Sequence, residues 1–164
     1  MKRLGALLLL LAGVPTPATA QDEGIALGTK APAVVVNDID GKPVNLAEYL
    51  GRKPVLLEFW ATWCSVCEEL LPRVKAAHAT YGAKVAFFGV NVTVNQTPDR
   101  VRRWIASHNP PYRTLYDETG VSTRAYEAPV TSYIVIIDSS GKVAYTGTGA
   151  DQDISGALAR VATH

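Results

Sequence analysis

The sequence predicts an α/β domain in which a mainly parallel sheet is covered by helices and finished by a terminal hairpin. Two observations carry this. Apolar runs of strand length, Val55 to Trp60 and Val85 to Val90, alternate with stretches whose apolar residues recur at three and four, the pattern that sets helices between parallel strands. The 164 residues, 48% hydrophobic and 19% charged, suit one folded core rather than several.

The chain opens with Met1-Lys2-Arg3, an apolar run from Leu4 to Val14 and the small residues Ala18-Thr19-Ala20. This is the layout of a secretory signal peptide cut after Ala20, which predicts an exported, periplasmic-type protein; the alternative is an uncleaved anchor. The apolar run is shorter than the about 20 residues that span a bilayer. Loss of Lys2 and Arg3 takes the net charge from +1 to −1, since residues 1–20 hold no Asp or Glu. That leaves none of the basic excess of a nucleic-acid binder. Residues 21–28 show no apolar period and are expected as a loose leader, with the domain running from 29 to 164.

Val34-Val35-Val36, Asp40-Gly41 and Val44 read as a short hairpin with the Asp-Gly pair at its turn, followed by a helical turn over Leu46 to Leu50. Val55 to Trp60 is the pattern of a central strand covered on both faces, with Glu58 as its anomaly. From Cys64 the spacing becomes helical through Val66, Leu70, Val74 and Ala77, with Pro72 inside and Gly82 at the end. Val85 to Val90 is a second buried strand. Thr97-Pro98-Asp99 caps a helix that runs to His108 and is stopped by Asn109-Pro110-Pro111. A short helix is expected within Thr119 to Glu127, then a strand over Ser132 to Ile137, a turn at Ser139-Ser140-Gly141, a returning strand over Val143 to Tyr145, and a last helix from Asp153 to Ala162.

The chain has two cysteines, Cys64 and Cys67, placed where a buried strand gives way to a helix. In that context the spacing reads as a redox pair rather than a metal site. Unpaired N–H groups and the positive end of the helix dipole stabilise a thiolate at the helix start, so Cys64 is expected to attack, and Cys67, almost a turn deeper, to resolve the mixed disulfide. A dipole contribution of roughly 0.3–2 kcal/mol lowers a thiol pKa by at most about 1.5, far from the value of a strong oxidant. Glu68 and Glu69 oppose even that, and no histidine lies between the cysteines. The pair is therefore expected to donate electrons.

The stretch Glu58-Phe59-Trp60-Ala61-Thr62-Trp63-Cys64-Ser65-Val66-Cys67, with Pro72 downstream, resembles the active-site segment of the thioredoxin superfamily, in particular its exported TlpA/ResA-like branch. Gly28 to Pro32 and Asp40 to Val44 resemble that branch's extra N-terminal hairpin, and Tyr112 to Gly120 its insertion before the last strands. The resemblance implies a thioredoxin-like fold with a central mixed sheet, thiol-disulfide exchange without a bound cofactor or metal, and a monomer. It implies exported thiol or disulfide proteins as partners, such as apocytochrome c, and a membrane thiol carrier as electron source.

By the same resemblance Glu58, six residues before Cys64, takes the buried-acid position and would accept the Cys67 proton. Pro129 is the candidate for the family's cis-proline, while Trp63, Ser65 and Val66 form the rest of the docking surface. Asp138 stands nine residues after Pro129 where the family places an Asp about six after its proline, so Val130-Thr131 or Ser132 is the alternative for that loop position. Leu70 stands where some reducing members carry a glutamate.

Three other readings compete. A thiol peroxidase of peroxiredoxin type would carry a Thr or Ser three residues before its cysteine and a Pro seven before, where this chain has Ala61 and Leu57. A copper chaperone would use the same cysteines with a Met or His beside them. A purely structural disulfide gains little from closing so short a loop.

Overall fold

The computed structural model describes residues 24–162; the expected signal peptide lies outside them. Strands β1 (Val35–Asn37) and β2 (Pro43–Asn45) pair antiparallel as a separate small sheet, followed by a 3₁₀ turn at Leu46–Glu48. Then come β3 (Val55–Trp60), α1 (Ser65–Tyr81), β4 (Ala86–Val92), α2 (Pro98–His108), β5 (Arg113–Asp117), α3 (Val121–Ala125), β6 (Tyr133–Ile137), β7 (Val143–Gly147) and α4 (Ile154–Val161). The main sheet has the order β5-β4-β3-β6-β7. β3, β4 and β5 run parallel, whereas β6 opposes β3 and β7 opposes β6. The sheet is thus mixed, and β3 is its centre.

β3 is buried along its whole length, as an apolar run interrupted only by Glu58 leads one to expect. Strand alternation then sorts its residues. Val55, Leu57 and Phe59 join a core with Val36, Val44, Leu46 and Phe88, under the small hairpin. Leu56 joins Leu70, Val74, Leu158 and Ile136 in a second core beneath α1 and α4. Trp60, on the same face as Leu56, enters a third cluster with both cysteines, Leu71, Val101 and Trp104 at the strand's C-terminal end. Shortening a fully buried leucine such as Leu57 to Ala would cost about 2–5 kcal/mol.

The helix starts follow from their caps. Thr97 Oγ1 accepts from Arg100 N at 3.3 Å, and Asp153 Oδ1 from Gly156 N at 2.9 Å. α2 ends where Asn109 turns left-handed at φ 46°, ahead of the two prolines.

Two expectations are corrected. Residues 113–117 form a parallel edge strand against β4, where the sequence reading had only an insertion. Residues 24–28 are docked rather than loose: Ile25 is buried and its N–H donates to the Tyr133 hydroxyl at 3.1 Å, while Gly28 N reaches Val143 O at 2.8 Å. Of its apolar residues Ile25 is buried and Leu27 exposed, and a single buried position leaves no period to read.

Candidate active site

β3 delivers the chain to the mouth of the sheet, and Ala61, Thr62 and Trp63 turn it into α1. Cys64 is the N-cap of that helix, in extended conformation, and its Sγ accepts from Cys67 N at 3.1 Å. Cys64 and Cys67 are joined as a disulfide with their Cα atoms 5.3 Å apart. Cys64 is 6% exposed and Cys67 1%, so Cys64 is the outer member of the pair. The turn is held from outside: Thr62 N donates to Gln96 Oε1 at 3.0 Å and Trp63 Nε1 to Val94 O at 2.8 Å.

Around the disulfide lies an apolar rim. Trp63, Val66, Val94 and Val130 are exposed large hydrophobic residues. A cleft of about 390 Å³ runs between Trp63 to Val66 on one wall and Val130 to Ser132 on the other. A second depression of about 270 Å³ adjoins it, lined by Trp63, Val94, Pro129 and Val130 among others. Clustered exposed apolar side chains mark a contact surface.

Trp63, Cys64, Ser65 and Val66 line one cleft, whereas Pro129 meets only Trp63 of these, across the adjoining depression. No peptide bond among the described residues is cis, and Pro129 lines the adjoining depression rather than the cleft over the sulfurs. The segment facing Cys64 is Val130-Thr131-Ser132, the alternative the spacing to Asp138 had left open. Ser132 adopts φ 66° and fastens that segment: its N–H donates to Phe59 O at 2.8 Å, its carbonyl accepts from Gln152 Nε2 at 2.9 Å, and its Oγ accepts from Gly149 N at 3.2 Å.

Glu58 is buried in mid-strand, two residues before Trp60 on the same face of β3. Burial raises its pKa from the usual 4.5 to about 8, an effect only partly offset by the neighbouring Tyr112 hydroxyl. The two groups are adjacent without an aligned hydrogen bond. Glu58 Oε2, Tyr112 Oη and Trp60 Nε1 are all buried and unpartnered. Tyr112 was not singled out in the sequence, although Gly89 held the signal: a glycine inside a buried strand marks close approach of another group. Gly89 is the β4 residue paired with Glu58, and a Cβ there would overlap the Tyr112 ring.

Glu68 turns away toward α2. Its Oε1 lies 3.5 Å from Trp104 Nε1 and 3.9 Å from His108 Nε2, while Trp104 stacks on His108 and packs against Trp60. Among the described residues no group of three or more His, Cys, Asp or Glu side chains gathers as a metal site would require.

The chemistry this arrangement supports is sulfur exchange: a disulfide at a helix head, with Cys64 the more exposed and Cys67 the more buried of the pair. Known proteins agree. The redoxin family model matches residues 26–161. The chain is 30% identical over 155 residues to the thiol-disulfide oxidoreductase ResA of Geobacillus thermodenitrificans, covering 90% of this chain and 87% of that one. It is 29% identical over 147 residues to the thioredoxin-like protein YneN of Bacillus subtilis, covering 85% and 84%. In fold it superposes on the thioredoxin domain of a thiol-disulfide oxidoreductase from Bacteroides vulgatus with TM-score 0.73 at 21% identity, over 85% of this chain and 99% of that domain. With the fold, the cysteine pair and the family model in agreement over the same residues, the chain belongs to the redoxin family and is a thiol-disulfide oxidoreductase of thioredoxin-like fold.

Proposed function

We propose that this oxidoreductase is exported and works as a reductant, passing two electrons from Cys64 and Cys67 to disulfides of partner proteins. The observation that carries the reading is the disulfide at the head of α1, with its outer sulfur opening onto an apolar-rimmed cleft.

In the reduced protein the Cys64 thiolate attacks one sulfur of a partner disulfide, and the partner's other sulfur leaves as a thiolate. The N–H of Cys67, which points at Cys64 Sγ, steadies the attacking charge. The Cys67 thiol then gives its proton to Glu58, attacks Cys64 Sγ and releases the partner's second thiolate, leaving the Cys64–Cys67 disulfide. A thiol carrier returns two electrons and two protons to restart the cycle. Because Glu58 titrates near 8, proton transfer to it becomes faster as pH rises toward that value.

Electron donation is supported by the two glutamates after Cys67 and by the lack of a histidine between the cysteines. Export is supported by residues 1–20, and with it partners such as apocytochrome c or other exported thiol proteins and a membrane thiol carrier; the chain would act as a monomer, and the exchange needs no cofactor beyond the two cysteines. Trp63, Ser65, Val66 and Pro129 would meet the partner chain. The peroxidase alternative finds only buried Leu57 and Ala61 at the positions its chemistry needs.

The redox equilibrium of the pair against glutathione and dithiothreitol tests the direction. A potential near about −270 mV marks a reductant; one near about −120 mV marks an oxidant and overturns the proposed direction. Consumption of hydroperoxide at rates above those of disulfide exchange would replace the reading with peroxidase action. A mature N-terminus at Gln21, read by mass spectrometry of secreted material, checks export.

A further inference from the structure

We propose that Tyr112 is a positioning residue for the proton step: its hydroxyl is the donor that steadies the ionised Glu58 carboxylate, and it reaches that carboxylate through the space left by Gly89. The inference rests on the reading of Glu58 as the acceptor of the Cys67 proton.

The placement follows from three local facts. Asn109 ends α2 in the left-handed conformation, and Pro110 and Pro111 carry the chain stiffly to β5, so Tyr112 enters the structure at the foot of the edge strand. One strand further in, β4 has no side chain at Gly89, the residue paired with Glu58, and the Tyr112 ring occupies that space. The ring also lies 6.2 Å from that of Trp60, which packs with both cysteines. Tyr112 Oη and Glu58 Oε2 are buried polar atoms that each lack a partner, a situation folded proteins seldom leave without use.

The surroundings leave few other groups to steady a charge on Glu58. From β3 comes Trp60 Nε1, a neutral donor, and from β6 the register partner Ile134. The buried faces of α1, α2 and α4 present Cys67, which titrates once reduced, but no charged side chain. Tyr112 remains a donor throughout the working range, since burial and the neighbouring carboxylate push its own pKa well above 10. When Glu58 takes the Cys67 proton it becomes neutral, and the hydroxyl is no longer needed. A donor that favours the ionised state alone keeps the base ready without holding on to it.

Tyr112→Phe keeps the ring and removes the hydroxyl. In protein labelled with ¹³C at glutamate, the Glu58 carboxyl of the variant is expected to titrate about 1 pH unit higher than in the unmodified protein. Resolution of a mixed disulfide between Cys64 and glutathione is expected to slow about tenfold at pH 7 and to recover at high pH. Gly89→Ala, which forces the ring aside, is expected to move the titration the same way and serves if Tyr112→Phe does not fold. An unchanged Glu58 midpoint in both variants overturns the inference while leaving the Glu58 reading intact. If instead Glu58→Gln resolves mixed disulfides with the pH dependence of the unmodified protein, the underlying reading fails.

Discussion

The two sides of the Cys64–Cys67 disulfide are built from opposite materials. Outside it lie Trp63, Val66, Val94 and Val130, apolar groups left in water; inside lie Glu58, Tyr112 Oη and Trp60 Nε1, polar groups kept out of it. Each side breaks the ordinary rule of burial, in opposite senses. The outer departure costs solubility and yields a surface that a partner chain would cover. The inner one costs stability and yields a carboxyl that changes protonation near neutral pH. Under the proposed function, choice of partner and timing of the proton fall to separate residues, and substitutions should separate them.

The largest effect is expected at the divide itself. Cys64→Ser should abolish exchange, whereas Cys67→Ser should still attack and then stop as a mixed disulfide, visible as a covalent adduct on a non-reducing gel. Equal loss without adducts in both variants would remove the outer and inner assignment of the sulfurs.

On the inner side, Glu58 should make stability depend on pH. Its folded-state pKa of about 8 lies above the usual 4.5, so between these values the folded protein holds a proton that the unfolded chain has released. Stability therefore falls as pH rises through that window, by about 1.4 kcal/mol per pH unit and roughly 5 kcal/mol at most. Urea denaturation of the oxidised protein at pH 5 and pH 8 measures this, and Glu58→Gln should flatten the difference.

Glu58→Gln should also slow the resolving step about 100-fold at pH 8 while leaving formation of the mixed disulfide nearly unchanged. Stopped-flow tryptophan fluorescence, with Trp60 and Trp63 close to the sulfurs, would follow both phases. The smallest effect belongs to the rim. Trp63→Ala should raise KM for a protein disulfide about fivefold, near 1 kcal/mol, and leave exchange with glutathione unchanged. A similar loss with both substrates would mean that Trp63 shapes the disulfide rather than the docking surface.

The sequence displayed those features that rest on near neighbours. The strand before the cysteines, the helix after them, the cap at Thr97 and the Asp-Gly hairpin all depend on residues a few positions apart, and all stand where expected. What escaped it depends on distant residues. β5 has the five residues Arg113–Asp117, and only its pairing with β4 makes them a strand. The loop beside the sulfurs was read onto Pro129 because proline is the conspicuous residue there. Ser132 performs the fastening instead, through bonds to Phe59, Gly149 and Gln152 that no local pattern announces. Glu58 was legible as a charge in an apolar run. Tyr112 was not, because the gap it fills lies at Gly89, 23 positions earlier in the chain.

The bond between Ile25 N and the Tyr133 hydroxyl spans 108 positions and ties the first described residues to the strand that begins immediately after Ser132. Contacts of such separation close late, since the loop between them must first be ordered. A chain that emerges N-terminus first, from a ribosome or through a membrane pore, therefore holds Ile25 in waiting until β6 has followed it out. Gly149 and Gln152, which fasten Ser132, follow later still, so the wall of the cleft is among the final parts of the molecule to set.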